Sequence, residues 1–250
     1  MIPEANILQP LVDLANSVLK FFHDNAGLSW GGAIIALTIV TRMVLIPLTY
    51  KSLKGMRMLQ ALQPQMKEIQ AKYKNDKQRM QQEMMNFYKE NKVNPFASCI
   101  PLVAQFPVFI ALFSVLRHEL PADIGCQAGH CGSQASFLFI PDLTAKATGG
   151  VLIALIVLYV GTQLASGMVT AVTADKNQRI MMMALPLVFV IFIVKFPAGL
   201  ILYWITTNVW TIGQQYTLQK LIPVPAAATP EEVAAAKPPP PPPKKKKKRR

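Results

Sequence analysis

Charge is scarce in this chain: Asp, Glu, Lys and Arg together make 16% of its 250 residues. Soluble domains carry roughly a quarter, so an ordinary water-facing surface is excluded. Acids are the scarcer sign, 13 against 26 Lys and Arg, and none lies well inside an apolar stretch. Paired carboxylates for acid–base work are therefore missing there. The 3 histidines, His23, His118 and His130, also lie outside the apolar stretches. The sequence has no phosphate-cradling glycine loop and no nucleophile beside a base at a recognisable spacing. These absences argue for a protein that is not an enzyme and needs no cofactor. A cleavable leader is not evident either, because Glu4, Asp13 and Asp24, rather than a basic segment, precede the first apolar stretch. The same acids disfavour an organelle transit peptide, which points to a bacterial source.

What the chain has in abundance is apolar: 52% of residues, gathered in blocks of about 15 to 22, the length a helix needs to cross hydrocarbon. The expected fold is all-α. It is a polytopic membrane protein with five transmembrane helices, a cytoplasmic helical hairpin and an N-terminal interfacial amphipathic helix. Within 1–27, Ile7, Leu8, Leu11, Leu14, Val18, Leu19 and Phe22 recur at helical spacing, with Asp13, Asn16, Ser17, Lys20 and Asp24 elsewhere. That segment is too interrupted to span, so it is placed in the interface. Residues 28–50 form the first span. Residues 51–94 follow as two helices with a break at Asn75-Asp76, too charged for hydrocarbon. The second span covers 95–116, with Pro101 and Pro107 inside, and a polar loop covers 117–148. The third span is 149–171, a link covers 172–179, and the fourth span is 180–194. A turn at 195–197 leads to the fifth span, 198–218. Residues 219–250 form a Pro- and Lys-rich tail that cannot bury a core. The fourth span holds 15 residues, about 22 Å at helical rise, and should thin the bilayer locally.

Basic residues set the orientation. Residues 51–92 hold ten Lys and Arg, and Lys244–Arg250 are all basic, which accounts for 17 of the 26. Five spans place the hairpin, the 172–179 link and the tail on one side. The expectation is a bacterial plasma membrane with the N-terminus out and the C-terminus cytoplasmic. The 117–148 loop then meets an oxidising compartment. Its Cys126 and Cys131, with His118 and His130, could suggest zinc, but adjacent His130 and Cys131 suit one tetrahedral ion poorly. A Cys126–Cys131 disulfide is the favoured reading, with two free thiols as the alternative.

Arg42 is the most informative single residue. A charge at span depth costs about 2.5–3.5 kcal/mol, and no carboxylate in any span can pair with it. A hydrated, positive cavity that attracts acidic or polar groups of a passing ligand explains it; snorkelling to the inner interface is the alternative. Gln105, Gln163 and Asn208 add polar groups in the second, third and fifth spans. They suit the same cavity, or simple helix-to-helix bonding. Methionines crowd the inner side, from Met56 to Met85 and at Met181 to Met183, and suit either varied apolar clients or ordinary gap filling.

Three stretches carry a family likeness: Thr41-Arg42-Met43-Val44-Leu45-Ile46-Pro47-Leu48, Pro101-Leu102-Val103-Ala104-Gln105-Phe106-Pro107-Val108-Phe109, and Phe196-Pro197-Ala198-Gly199-Leu200-Ile201-Leu202-Tyr203-Trp204. In this order and topology, over roughly residues 5–220, the chain resembles the Oxa/YidC/Alb membrane protein insertases. The resemblance implies a hydrophilic groove open to cytoplasm and lipid, in which Arg42 receives hydrophilic parts of nascent membrane proteins. It implies that Gln105 lines that groove, that Tyr203 and Trp204 contact client helices, and that the hairpin recruits substrate. It further implies work alone or beside a Sec-type translocon. The short N-terminal stretch is expected to mark the minimal core form, without the large extracytoplasmic domain that some bacterial members carry before the core, and the tail is a second departure. The Lys244–Arg250 run suits the ribosome through RNA phosphates, anionic lipids, or plain solvation. A small-solute or anion transporter using Arg42 is the alternative function, although no inverted repeat supports it.

Overall fold

A computed structural model describes residues 8–94, 100–127, 130–170 and 176–222. Residues 95–99 (with Cys99), 171–175 and the tail with Lys244–Arg250 lie outside the described residues, as do the side chains of Met181 and Met182. The chain divides into two units, 1–57 with 94–223 and 58–93 with 224–250. Among the described residues the structure is helical, with only isolated bridges in place of strands.

In the first unit, α1 (Gln9–Asp24) starts with Pro10 in its first turn, where a missing N–H costs nothing. It buries Val12 and Leu19 and packs on α2 (Trp30–Val44) and α6 (Ile100–Ser114). His23 stacks on Trp30 at 3.8 Å and its Nδ1 lies 2.7 Å from the Leu28 carbonyl, which closes the α1–α2 turn. The Ser29 hydroxyl accepts the Gly32 N–H and caps α2.

The first span is not straight. α2 ends at Val44, Leu45 breaks the ladder, and α3 (Ile46–Ala61) leaves at 55°. Pro47, in the first turn of α3, supplies the cause: it lacks an N–H and its ring crowds the carbonyl four residues back. The second span also runs further than its expected end at Leu116. After α6 the chain makes one wider π turn, Val115–Glu119, then α7 (Leu120–Ile124), and 103–124 read as one apolar span. Leu116 and Leu120 are fully buried, so packing carries the helix through Arg117, His118 and Glu119. Lys20 and Asn16 on α1 both reach Asp123, at 2.6 and 3.2 Å.

α8 (Gly149–Thr170) follows the expected third span, and its Ile153, Val157 and Leu158 point outward. α9 (Lys176–Ile193) begins four residues before the expected fourth span, and α10 (Ala198–Leu221) ends three after the fifth. Among the described residues, two helices are long and apolar enough to cross a membrane, or three if the bent α2–α3 pair is one span. α10 carries Thr206, Thr207, Asn208, Gln214 and Gln215, which makes it a less apolar helix.

Residues 130–148 form a packed cap. Ile140 and Leu143 are buried, and the Ala145 and Leu143 carbonyls accept the Ala198 and Gly199 N–H groups at 2.8 and 2.9 Å. Those are free donors at the start of α10. A side chain at Gly199 would meet the Leu143 carbonyl and Leu116 at 3.0 Å, so glycine suits this close approach.

The second unit holds α4 (Gln63–Lys72) and α5 (Lys77–Glu90), packed on each other. The periodic run Leu59 to Tyr73 suggests one helix, but the structure breaks it at Leu62, just before Pro64 in the first turn of α4. The break at 75–76 is where the pattern puts it: the Asp76 carboxylate accepts the Arg79 N–H at 3.0 Å. Lys72 and Arg79 flank the Tyr73 ring at 5.4 and 5.5 Å.

Candidate functional site

Three helices bring the strongest candidates together. Arg42 lies in the last turn of α2, Gln105 on the first half of α6, and Tyr203 on the second turn of α10. The Gln105 amide donates to the Tyr203 hydroxyl. The Arg42 guanidinium lies close enough to that phenol for the two to interact electrostatically. Arg42 Nε and Gln105 Oε1 are buried and have no hydrogen-bond partner among the described residues. Unpartnered buried polar atoms cost about 1–3 kcal/mol each, so ordinary packing does not explain them.

Further along α10 the polar character continues. Asn208 is buried and donates to the Thr162 hydroxyl on α8 at 3.3 Å. Gln219 donates to the Val169 carbonyl at 2.7 Å. These bonds join α10 to α8 as helix-to-helix contacts. Gln214 accepts from the Trp210 indole at 3.0 Å, while its amide nitrogen and Gln215 Oε1 are buried without partners. Gln163 neighbours Thr162 on α8 and is half-buried.

The two aromatics differ. Tyr203 is 1% exposed and faces the polar cluster. Trp204 is half-buried in a ring cluster, stacked on Phe109 at 5.3 Å and edge-on to Phe189 and Phe196 at 5.3 and 5.7 Å. As placed, Tyr203 touches its own helices and would meet a client only if they part.

An apolar cavity of about 330 Å³ lies beside the cluster, lined by α1, α2, α6 and Tyr203. Thr38 and Thr41 border it, and their hydroxyls bond backbone carbonyls at 2.7 and 2.8 Å.

The cap holds a second polar centre, one that residue spacing alone did not single out. Cys126 and Cys131 form a disulfide, so neither is free to bind zinc. The Asp142 carboxylate accepts five hydrogen bonds, from the N–H groups of Cys131, Gly132, Thr144 and Ala145 and from the Thr144 hydroxyl, at 2.6–3.2 Å. Burial pushes this carboxyl up, but the bonds from Thr144, Gly132 and Cys131 outweigh it and hold the group below the usual aspartate value. The visible signal was Asp142 followed two residues on by Thr144, an Asx-turn pattern. Among the described residues no group of three His, Cys, Asp or Glu gathers as a metal site.

The family model described as 60Kd inner membrane protein matches residues 21–225. A relative from Streptomyces avermitilis described as membrane protein insertase YidC is 34% identical, covering 83% of this chain and 55% of its own length. A Geobacter sulfurreducens relative of the same description is 40% identical, covering 82% of this chain and 36% of its own length. The chain thus spans about half or less of these relatives. A solved structure described as an active YidC insertase with its first transmembrane domain resolved matches with a TM-score of 0.63 at 25% identity. The match covers 84% of this chain and 45% of that one. The fold is therefore YidC-like, and with its apolar helices the chain is a multi-pass protein of the bacterial inner membrane. From residue 21 to residue 225 it carries the pattern of one family throughout, and the chain belongs to the 60Kd inner membrane proteins, the YidC/Oxa1 family.

Proposed function

We propose that this chain is a membrane protein insertase and chaperone. It receives hydrophilic parts of nascent membrane proteins at Arg42 and releases their apolar segments to lipid. The observation that carries this is the cluster of Arg42, Gln105 and Tyr203 on three helices, with Arg42 Nε and Gln105 Oε1 buried and unpartnered among the described residues. A polar segment passing through would supply the missing partners. Gln163 and Asn208 extend the polar path along α8 and α10, and Trp204 offers a client its ring edge. No energy cofactor enters: burying client side chains in lipid yields about 0.8 kcal/mol per CH₂.

The proposed topology has five spans: α2 with the start of α3, α6 with α7, α8, α9 and α10. The N-terminus is outside, and the α4–α5 hairpin and the C-terminal tail are in the cytoplasm. α1 lies in the outer interface. The hairpin recruits clients, the basic tail meets the ribosome or anionic lipid, and a Sec-type translocon is a working partner for some clients.

Insertion of a small client with an acidic translocated segment into proteoliposomes tests this. Wild type should insert well above empty liposomes. Arg42→Ala should lose about tenfold or more, consistent with about 1.4 kcal/mol per factor of ten, while Arg42→Lys keeps most activity. Equal activity in all three removes Arg42 from the mechanism. No activity from wild type moves the weight to the anion-transporter reading.

A further inference from the structure

Residues 137–140 make a tight two-residue turn. The Phe137 N–H donates to the Ile140 carbonyl at 2.9 Å and the Ile140 N–H returns to Phe137 at 2.8 Å. Its first central residue, Leu138, has φ of +52°, while Phe139 is not among the residues with positive φ. Two-residue hairpin turns of this kind favour glycine at the first central position, and a bulky side chain there is strained. Leu138 is nonetheless 84% exposed and Phe139 47% exposed. Folding the chain explains neither the strain nor the exposure, since a glycine would serve the turn better.

The turn is rigidly held on both sides. The Phe137 ring fills the space over Gly31, where an added Cβ would lie 2.1 Å from it, and Ile140 is buried. Gly31 is in the first turn of α2, three residues from exposed Leu28. The segment just after the turn caps the first turn of α10. The tip is therefore fixed at the level where two helices of an inner-membrane protein begin, beside a rim that is already apolar. That level is the boundary between hydrocarbon and head groups, where an apolar side chain gains by leaving water.

We propose that Leu138 and Phe139 are a lipid anchor: a preformed apolar tip that the cap inserts into the adjacent leaflet. The occupant is the acyl-chain and head-group boundary of the protein's own membrane. The tip would hold the cap, and with it the start of α10, at a fixed depth in the bilayer. This rests on membership of an inner-membrane family rather than on the insertase reading, so it stands or falls separately from Arg42.

An environment-sensitive fluorophore tests it. The label is attached at Leu138→Cys in a Cys99→Ser background, with the full chain in phospholipid vesicles and the Cys126–Cys131 disulfide left oxidised. Ser133→Cys, an exposed position in the turn Gly132–Ala135, is the control site. The expected result is blue-shifted emission at 138, quenched several-fold more by lipid-borne nitroxide than at 133. Water-like emission at 138, quenched by aqueous iodide as at 133, overturns the anchor. A blue shift that lipid nitroxide leaves untouched and that fades on dilution means a protein contact and also overturns it. Leu138→Gly gives an independent reading in detergent. It should unfold at the same or a higher temperature than wild type, because strain is relieved; a clear fall would mean that Leu138 packs within the fold, contrary to the proposal.

Discussion

The Asp142 cradle and the Arg42 cluster both take a charged side chain out of water, and they treat it in opposite ways. Asp142 receives five hydrogen bonds from a loop pinned by a disulfide. Arg42 keeps its Nε buried with no partner, and the neighbouring Gln105 oxygen is equally unserved. A saturated buried charge organises structure, and an unsaturated one stores a cost that a passing ligand can relieve. On the proposed reading, the first is scaffold and the second is the working site. If it is sound, mutations in the two regions should divide between stability and activity.

The largest expected effect on stability is therefore in the cap. Asp142→Ala strands five donors and should cost about 2–4 kcal/mol, given that charged hydrogen bonds contribute about 1.5–3 each and do not add. Thermal unfolding in detergent should show a fall of about 5–10 °C. Arg42→Ala should move the midpoint by less than half as much, or raise it. A large fall for Arg42→Ala, or none for Asp142→Ala, would break the contrast. Cys126→Ser comes next. The ring it opens is small, with a sequence separation of 5, so the loss should be about 2 kcal/mol by loop-closure reasoning. A midpoint fall larger than that of Asp142→Ala would mean that the disulfide, rather than the carboxylate, holds the cradle.

These two regions were also unequally legible in the sequence. Arg42 stood out because charge within an apolar run is rare, and Gln105 because polarity within the second span is. Periodicity located α1 and the α4–α5 turn, where Asp76 caps a helix through a local bond, and the length of an apolar block located α8. Junctions were harder. Pro47 and Pro64 end helices that hydropathy alone runs together. Residues 117–124 read as loop because Arg117, His118 and Glu119 are polar, yet buried Leu116 and Leu120 carry the helix on. The cap escaped reading because its order comes from distant contacts, Phe137 on Gly31 and Leu143 on Gly199, which leave no periodic trace.

The smallest expected effect is titration of the cradle, and its sign is fixed by the bonds. Asp142 has a folded-state pKa held below its unfolded value of about 3.9 by the donors around it. Its contribution is fully present above that unfolded value and disappears as pH falls through the lowered folded one. Unfolding midpoints of wild type and Asp142→Asn should therefore lie a constant distance apart at neutral pH and converge below about pH 4. Asparagine keeps the shape and one acceptor oxygen but loses the charge, so the gap at neutral pH reports charge-assisted bonding rather than packing. Arg42→Gln should show no such convergence with its wild type, since α2 itself holds no acid or histidine. Parallel curves for Asp142→Asn down to low pH would mean that the cradle binds its aspartate by shape alone. The contrast between a saturated anion and an unsaturated cation would then lose its electrostatic half.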